Sequence, residues 1–178
     1  SEGALGKPFV RHWMHTEFLL VEGVKMSKSR GNQFTVKDLT YEGFSPMAIR
    51  YLLLSVNYRQ QLNFTKEGLR QAETAIRRVD DFLDRLSEVA REGEASDETK
   101  GTVRRALERF EEAMDDDLNT SPALAALFDL VKGGNSTFSS SSITKGDANA
   151  FAEAVGRMTS VFAVFGRSQK LTLDEEVE

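Results

Sequence analysis

Cysteine is absent from this 178-residue chain, and histidine occurs only at His12 and His15. The first absence excludes disulfide staples, a thiol nucleophile and any thiolate metal site within these residues. The second leaves too few imidazoles for a self-contained zinc site. No apolar run approaches the roughly 18 residues that a membrane-spanning helix requires. No basic segment followed by an apolar one opens the chain in the manner of a secretory signal. The first residue is Ser1 rather than Met, and the chain reads as a fragment or a processed piece. What is there is 40% hydrophobic and 29% charged, the profile of a soluble globular protein of one domain or two small ones.

The net charge of −5 is unevenly spread. Residues 1–78 hold 12 Lys and Arg against 7 Asp and Glu, a balance of +5; residues 79–178 hold 11 against 21, a balance of −10. A basic first part joined to an acidic second part predicts that a polyanion is met by the first part. Ordinary surface variation is the competing explanation.

The first 40 residues have strand and turn character. Phe9 to Met14 and Phe18 to Val21 are short β-prone runs, Glu22-Gly23 marks a hairpin turn, and Phe34-Thr35-Val36 is a third strand candidate. From residue 45 the period turns helical. Ser45-Pro46 supplies an N-cap and a proline at the first helical position, and Ile49, Leu52, Leu53 and Val56 recur on one face. Gln61 to Phe64 reads as an extended exit.

Four amphipathic helices are expected next. The first covers residues 66–92, with Leu69, Ala72, Ile76, Val79, Leu83 and Leu86 inward and Gly93 as its stop. The second covers residues 97–115, with Val103, Leu107, Phe110 and Met114 inward. The third starts at Ser121-Pro122, buries Leu124, Leu127, Phe128 and Val131, and stops at Gly133-Gly134. The fourth is capped by Asp147, buries Phe151, Val155, Met158, Phe162 and Phe165, and ends at Gly166. Residues 135–145 hold five serines without periodicity and are expected to be a mobile loop. Stripes of this kind bury one another in an antiparallel bundle. The expected fold is mainly α: a short β-containing segment over residues 1–64, an antiparallel four-helix bundle over 65–167, and a frayed acidic tail over 168–178.

The sharpest chemical signal is Lys25-Met26-Ser27-Lys28-Ser29, followed by Arg30-Gly31-Asn32. Two ammonium groups and two hydroxyls within five residues can wrap a polyphosphate. Gly23 and Gly31 flank the loop and would let it swing. Interactions that form only as charge builds on a transferring phosphate are the ones that accelerate a step. The bland reading of the same string is a solvated basic turn.

Lys25 to Ser29 matches the KMSKS signature of the class I aminoacyl-tRNA synthetases. Trp13-Met14-His15, the run from Val21 to Leu39, Tyr58 to Phe64, and Met114 to Leu130 resemble cysteinyl-tRNA synthetases. The last two blocks are the more particular ones. The resemblance implies activation of cysteine with ATP to an adenylate, release of pyrophosphate, and esterification of a tRNA 3′ end. Lys28 is then the expected ATP contact with Lys25 in support, and Lys25, Met26, Ser27, Lys28 and Ser29 form the ATP-binding loop. It also implies magnesium with the ATP, a cytoplasmic and monomeric enzyme, and a zinc whose Cys, His and Glu ligands are not in this chain. The family's HIGH motif and its final anticodon-reading domain are likewise not found here, so the chain alone is not expected to aminoacylate. Methionyl-tRNA synthetase and the cysteine ligase of mycothiol synthesis share parts of the pattern. A non-catalytic tRNA-binding module built from the bundle is the rival of another class.

Other residues are weighed singly. Arg50, Arg59, Lys66, Arg70, Arg77 and Arg78 are candidates for tRNA backbone contact, which positions without reading sequence. The alternative is a solvated face with pairs such as Glu73 with Arg77. Asp115-Asp116-Asp117 is read as a helix junction with capping carboxylates rather than a metal site. For His12 and His15 a role near the ATP site is weighed against packing in the core or behind the site, and packing is the expectation; Trp13 and most phenylalanines are expected to pack in the interior.

Overall fold

The computed structural model describes residues 1–139 and 143–165. A four-residue turn of helix, α1 (Glu2–Leu5), precedes a stretch without regular structure. Strands β1 (Leu20–Val21) and β2 (Val24–Lys25) then form an antiparallel hairpin, and helices α2 (Val36–Tyr41) and α3 (Pro46–Leu54) follow. Strand β3 (Asn63–Phe64) pairs in parallel with β1, giving the sheet order β2-β1-β3. The bundle consists of α4 (Lys66–Ser87), α5 (Asp97–Asp115), α6 (Thr120–Ser139) and α7 (Lys145–Phe162). The chain is mainly helical with one small sheet, as its patterning predicts.

Local chemistry accounts for the helix starts. Ser45 accepts from Met47 N–H with Pro46 at the first position of α3, and Thr65 and Ser96 cap α4 and α5 with their hydroxyls. Thr144 caps α7, and Asp147 is its reciprocal partner three residues on, a capping box rather than the simple Asp147 cap expected.

The bundle core joins Val79, Phe82 and Leu86 of α4 to Ala106 and Phe110 of α5, Leu127, Leu130 and Val131 of α6, and Phe151, Val155 and Met158 of α7. Phe82 meets Phe151 edge-on, ring centroids 6.0 Å apart, and Phe110 meets Phe162 at 5.5 Å. A second core gathers Val21, Leu39, Ile49, Leu52, Phe64, Leu69 and Ala72 beneath the hairpin. Helix α4 feeds both, and Ile76 and Tyr51 pack against each.

Several sequence expectations are corrected. Phe9 to Met14 forms no strand, because both edges of β1 are already taken by β2 and β3. Phe34 to Val36 is not a strand either. Thr35 and Asp38 exchange hydrogen bonds of 2.8 and 3.1 Å that start α2 at Val36. In α3, Leu53 is exposed and Val56 lies beyond the helix end. Helix α4 stops at Ser87, short of the expected end at residue 92. Residues 91–94 are drawn off to the start of α7: Lys145 N–H donates to Arg91, Gly146 N–H to Gly93, and the Thr144 hydroxyl to Glu94, all at carbonyl oxygens. Phe82, not Leu83, is the fully buried residue of that stretch.

Gly133-Gly134 does not end α6. A Cβ at residue 134 would stand 2.3 Å from the Phe82 ring, so this glycine lets the helix pass the aromatic. The helix runs on to Ser139, and of the expected mobile loop, residues 140–142 lie outside the described residues. Helix α7 ends at Phe162, and Phe165 packs from beyond it on Tyr51 at 5.8 Å. Gly166 and the acidic tail also lie outside the described residues.

Candidate functional site

Strand β1 turns into β2 through Glu22 and Gly23, whose φ values of 48° and 79° make the turn that matches strand twist in a two-residue hairpin. The hairpin delivers Lys25 at the end of β2, and Lys28 to Arg30 coil into a 3-10 turn closed by Gly31 at φ 67°. Asn32 latches this loop from within. Its side-chain oxygen accepts from Ser27 N–H at 2.9 Å, and its amide nitrogen donates to the Lys25 carbonyl at 3.2 Å. The Ser27 and Ser29 hydroxyls lie 2.8 Å apart.

A cleft of about 350 Å³ opens beside the loop, lined by Phe18, Leu19, Lys25, Met26, Ser27, Lys28 and Gln33. Lys25 and Lys28 differ in how they are held. The Lys25 ammonium sits 3.7 Å from the centre of the Phe18 ring. Lys28 is exposed and has no ion-pair partner among the described residues. Sequence reasoning does not single out Phe18 or Asn32 as site residues. The asparagine is legible in principle, since an Asx residue after a left-handed glycine is a common loop closer.

The structure does not bring the six basic candidates into one site. Arg50 donates through Nε to the Phe162 carbonyl at 3.0 Å, tying α3 to the last turn of α7. Arg59 pairs with Asp117, Lys66 with Glu42 at 2.6 Å, and Arg70 with Glu67 at 3.0 Å. Arg77 and Arg78 share a groove on α4 with Asp81, Arg85 and Asn135. The Glu73–Arg77 pair of the alternative reading does not form. Glu73 instead accepts from Ser45 N–H at 3.2 Å, at the start of α3.

Two sequence blocks far apart in the chain meet at the α5–α6 junction. The Tyr58 hydroxyl donates to Asp117 at 2.8 Å, Asn57 donates to Asn119 at 3.5 Å, and the Ser121 hydroxyl donates to the Ser55 carbonyl at 2.8 Å. The hydrogen bonds of Arg59 and Tyr58 hold the Asp117 carboxyl below its usual range. Asp115 ends α5 and Asp116 caps it, while Asp117 meets Tyr58 and Arg59. No group of three acidic or histidine side chains among the described residues can hold a metal ion. These residues therefore do not fit the zinc that the family resemblance implies.

His12, Trp13 and His15 are exposed, contrary to expectation, with Trp13 and His15 stacked at 6.0 Å. Phe9 and Phe18 are exposed as well. Residues 7–19 run over the surface with few anchors, one being the Glu17 N–H to the Tyr58 carbonyl at 3.1 Å. No helix among the described residues is long and apolar enough to cross a membrane.

Residues 1–74 match the family described as tRNA synthetases class I (C) catalytic domain, and residues 109–166 match the DALR domain. A Cysteine--tRNA ligase of Chlamydia caviae is 42% identical over 100% of this chain and 38% of its own length. One of Carboxydothermus hydrogenoformans is 43% identical over 96% of this chain and 37% of its own length. The chain thus spans well under half the length of the curated relatives it matches. Among solved structures, a LeuRS chain from an Agrobacterium radiobacter ternary complex with tRNA superposes with a TM-score of 0.65. It is 20% identical, and the match covers 83% of this chain and 20% of that one. At that identity the likeness is one of fold.

Proposed function

Because the chain belongs to the cysteine–tRNA ligases among the class I tRNA synthetases, we propose that residues 25–29 are the ATP-phosphate loop of an enzyme that activates cysteine and charges tRNA with it. The observation that carries this reading is a latched hairpin loop offering Lys28, without an ion-pair partner among the described residues, over an open cleft that Ser27 lines with its hydroxyl beside that of Ser29.

In the reaction, a carboxylate oxygen of cysteine bonds to the α-phosphorus of ATP. The bond from that phosphorus to the bridging oxygen breaks, and pyrophosphate leaves with the electron pair. The adenylate then passes its acyl group to a hydroxyl of the tRNA 3′ end, and AMP leaves. Negative charge grows on the departing pyrophosphate, and Lys28 is placed to meet it. An exposed cation that meets its partner only as that charge develops stabilises the transition state more than the bound substrate. Lys25, already resting on Phe18, has less reach and supports the same polyphosphate. ATP enters as its magnesium complex, as substrate.

The tRNA partner fits the basic first part of the chain. Arg70, Arg77 and Arg78 face solvent along α4 and can meet successive phosphates.

The test is adenylate formation by the full-length protein, with ATP, cysteine and the Lys28→Ala variant. The expected loss is about a hundredfold to a thousandfold, the usual cost of removing one preorganised charge-stabilising group. Cysteine binding and thermal unfolding should stay at wild-type values. Lys25→Ala should act in the same direction and less, and the two changes should not add, since both cations serve one ligand. A Lys28→Ala enzyme that adenylates at the wild-type rate would leave a bland basic turn and favour a purely tRNA-binding module.

A further inference from the structure

The cluster formed by Tyr58, Arg59 and Asp117 is not explained by stability. Its ion pair is exposed, with side-chain accessibilities of 68% and 50% for Arg59 and Asp117, and exposed pairs contribute little to folding. The pair is built on a costly backbone shape. Asp117 and Leu118 both have positive φ, 54° and 55°. Two consecutive left-handed residues without a glycine persist only where the surroundings over-determine them, and such strain gathers at functional positions. Leu118, the residue least suited to that conformation, gains no burial from it and stays half exposed.

The turn closes the end of α5, where Leu118 N–H donates to the Met114 carbonyl at 3.1 Å and Asn119 N–H to that of Ala113 at 3.0 Å, and in doing so it aims one carboxylate. One Asp117 oxygen accepts from the Tyr58 hydroxyl at 2.8 Å, and the other accepts from Arg59 Nε. The Arg59 guanidinium carbon lies 5.1 Å from the centre of the Tyr58 ring. The Arg59 backbone N–H is fixed by the Asn57 side chain at 2.9 Å. The arginine is therefore held at its backbone, across its face and at its inner nitrogen. The hydrogen bond to the carboxylate runs through Nε, which leaves the fork of terminal nitrogens unspent on Asp117. A guanidinium restrained in this way loses less freedom when it grips a phosphate in two-pronged fashion.

We propose that Asp117 is a positioning residue that holds Arg59 ready for a phosphate of the bound RNA. The inference rests on the reading that this protein binds tRNA, and it assigns a role in that binding to an acidic residue of the helix junction.

Its sign separates it from plain electrostatics. Removing a negative charge beside an RNA-binding surface should tighten binding if charge alone matters. Positioning predicts the reverse. The experiment measures the dissociation constant of the full-length protein for a cysteine-tRNA transcript at fixed salt, with Asp117→Asn, Arg59→Ala and the double variant. Asp117→Asn should weaken binding about tenfold, and should have almost no effect once Arg59 is alanine, because the two act as one unit. Asp117→Glu should recover part of the loss. The tRNA KM in charging should rise while cysteine-dependent ATP–pyrophosphate exchange without tRNA stays unchanged. Tighter or unchanged binding by Asp117→Asn overturns the proposal. So does a loss that persists in the Arg59→Ala background, which would mark a merely structural role. Wild-type protein that binds no tRNA overturns both this inference and the reading beneath it, whereas wild-type binding with no coupling between the two residues overturns this inference alone.

Discussion

In the bundle, Leu127, Leu130, Phe151 and Val155 are sealed from water, while around the hairpin Lys28, Phe18 and Trp13 all face it. The bundle buries its side chains in mutual stripes, and the hydroxyls of Thr65, Ser96 and Thr144 cap the starts of α4, α5 and α7. The hairpin has two-residue strands over a smaller core, and its loop holds its shape by a few hydrogen bonds, such as the two of the Asn32 latch. The difference separates two tasks. Stability resides where apolar area leaves water, and reactivity resides on a loop that costs little to reshape. A substitution in one region should therefore leave the property of the other almost untouched.

The strongest way to break that division is a cavity in the bundle. Phe151→Ala removes a fully buried ring that meets Phe82 and should cost about 3–5 kcal/mol of unfolding free energy, read by chemical denaturation. A loop substitution with an equal effect would erase the distinction.

Asn32→Ala sharpens it from the other side. The loop loses its bonds to Ser27 and Lys25. Adenylate formation by the full-length protein should slow about tenfold or more, because small misplacements of a catalytic group are costly. Its melting temperature should fall by only about a few degrees, as expected for a half-buried and an exposed bond in a surface loop.

Asp147 gives a smaller and pH-dependent effect within the bundle. Burial pushes its carboxyl up, but the Ser96 N–H, the Thr99 hydroxyl, and the Thr144 N–H and hydroxyl together outweigh burial and hold it well below the usual range. A carboxylate depressed in the folded state stabilises above its unfolded pKa and loses that contribution as pH falls below it. Asp147→Asn should cost about 1–3 kcal/mol near neutral pH. The gap between variant and wild type should close as pH falls from about 5 toward 2, which urea unfolding at several pH values would show.

Arg77→Ala is the smallest change. Stability should be unaffected, and the slope of log tRNA affinity against log salt should fall by about one. A slope that does not move would remove α4 from the RNA surface.

The sequence announces the long helices because their stripes and caps are local. The start of α5 at Asp97, and Ser45-Pro46 at α3, are read correctly for that reason. It misleads where a distant partner decides. Gly133-Gly134 looks like a stop until the Phe82 ring is known to lie against it. Phe34-Thr35-Val36 is a different miss, since the Thr35–Asp38 capping box that starts α2 is local and the β-prone reading of the three residues overlooks it. The signature loop is legible as five residues, but its Asn32 latch and the Phe18 support of Lys25 depend on the hairpin fold. Likewise, Asp117 reads as one carboxylate of three, and only the fold selects it to face Tyr58 and Arg59.

Helix α4 enters beneath the hairpin at Leu69 and Ala72 and leaves in the bundle at Phe82 and Leu86. Its 22 residues make a rod roughly 33 Å long, at 1.5 Å per residue. One beam thus has its ends set in two different foundations. A tilt of only about 5° at one end displaces the other by roughly 3 Å over that length, which is comparable to a hydrogen bond. Dissection follows the same logic. A cut just before α4 would leave the bundle intact on one side but turn Leu69 and Ala72 out into water, so the piece carrying the beam would come away with a sticky apolar end rather than as a clean module.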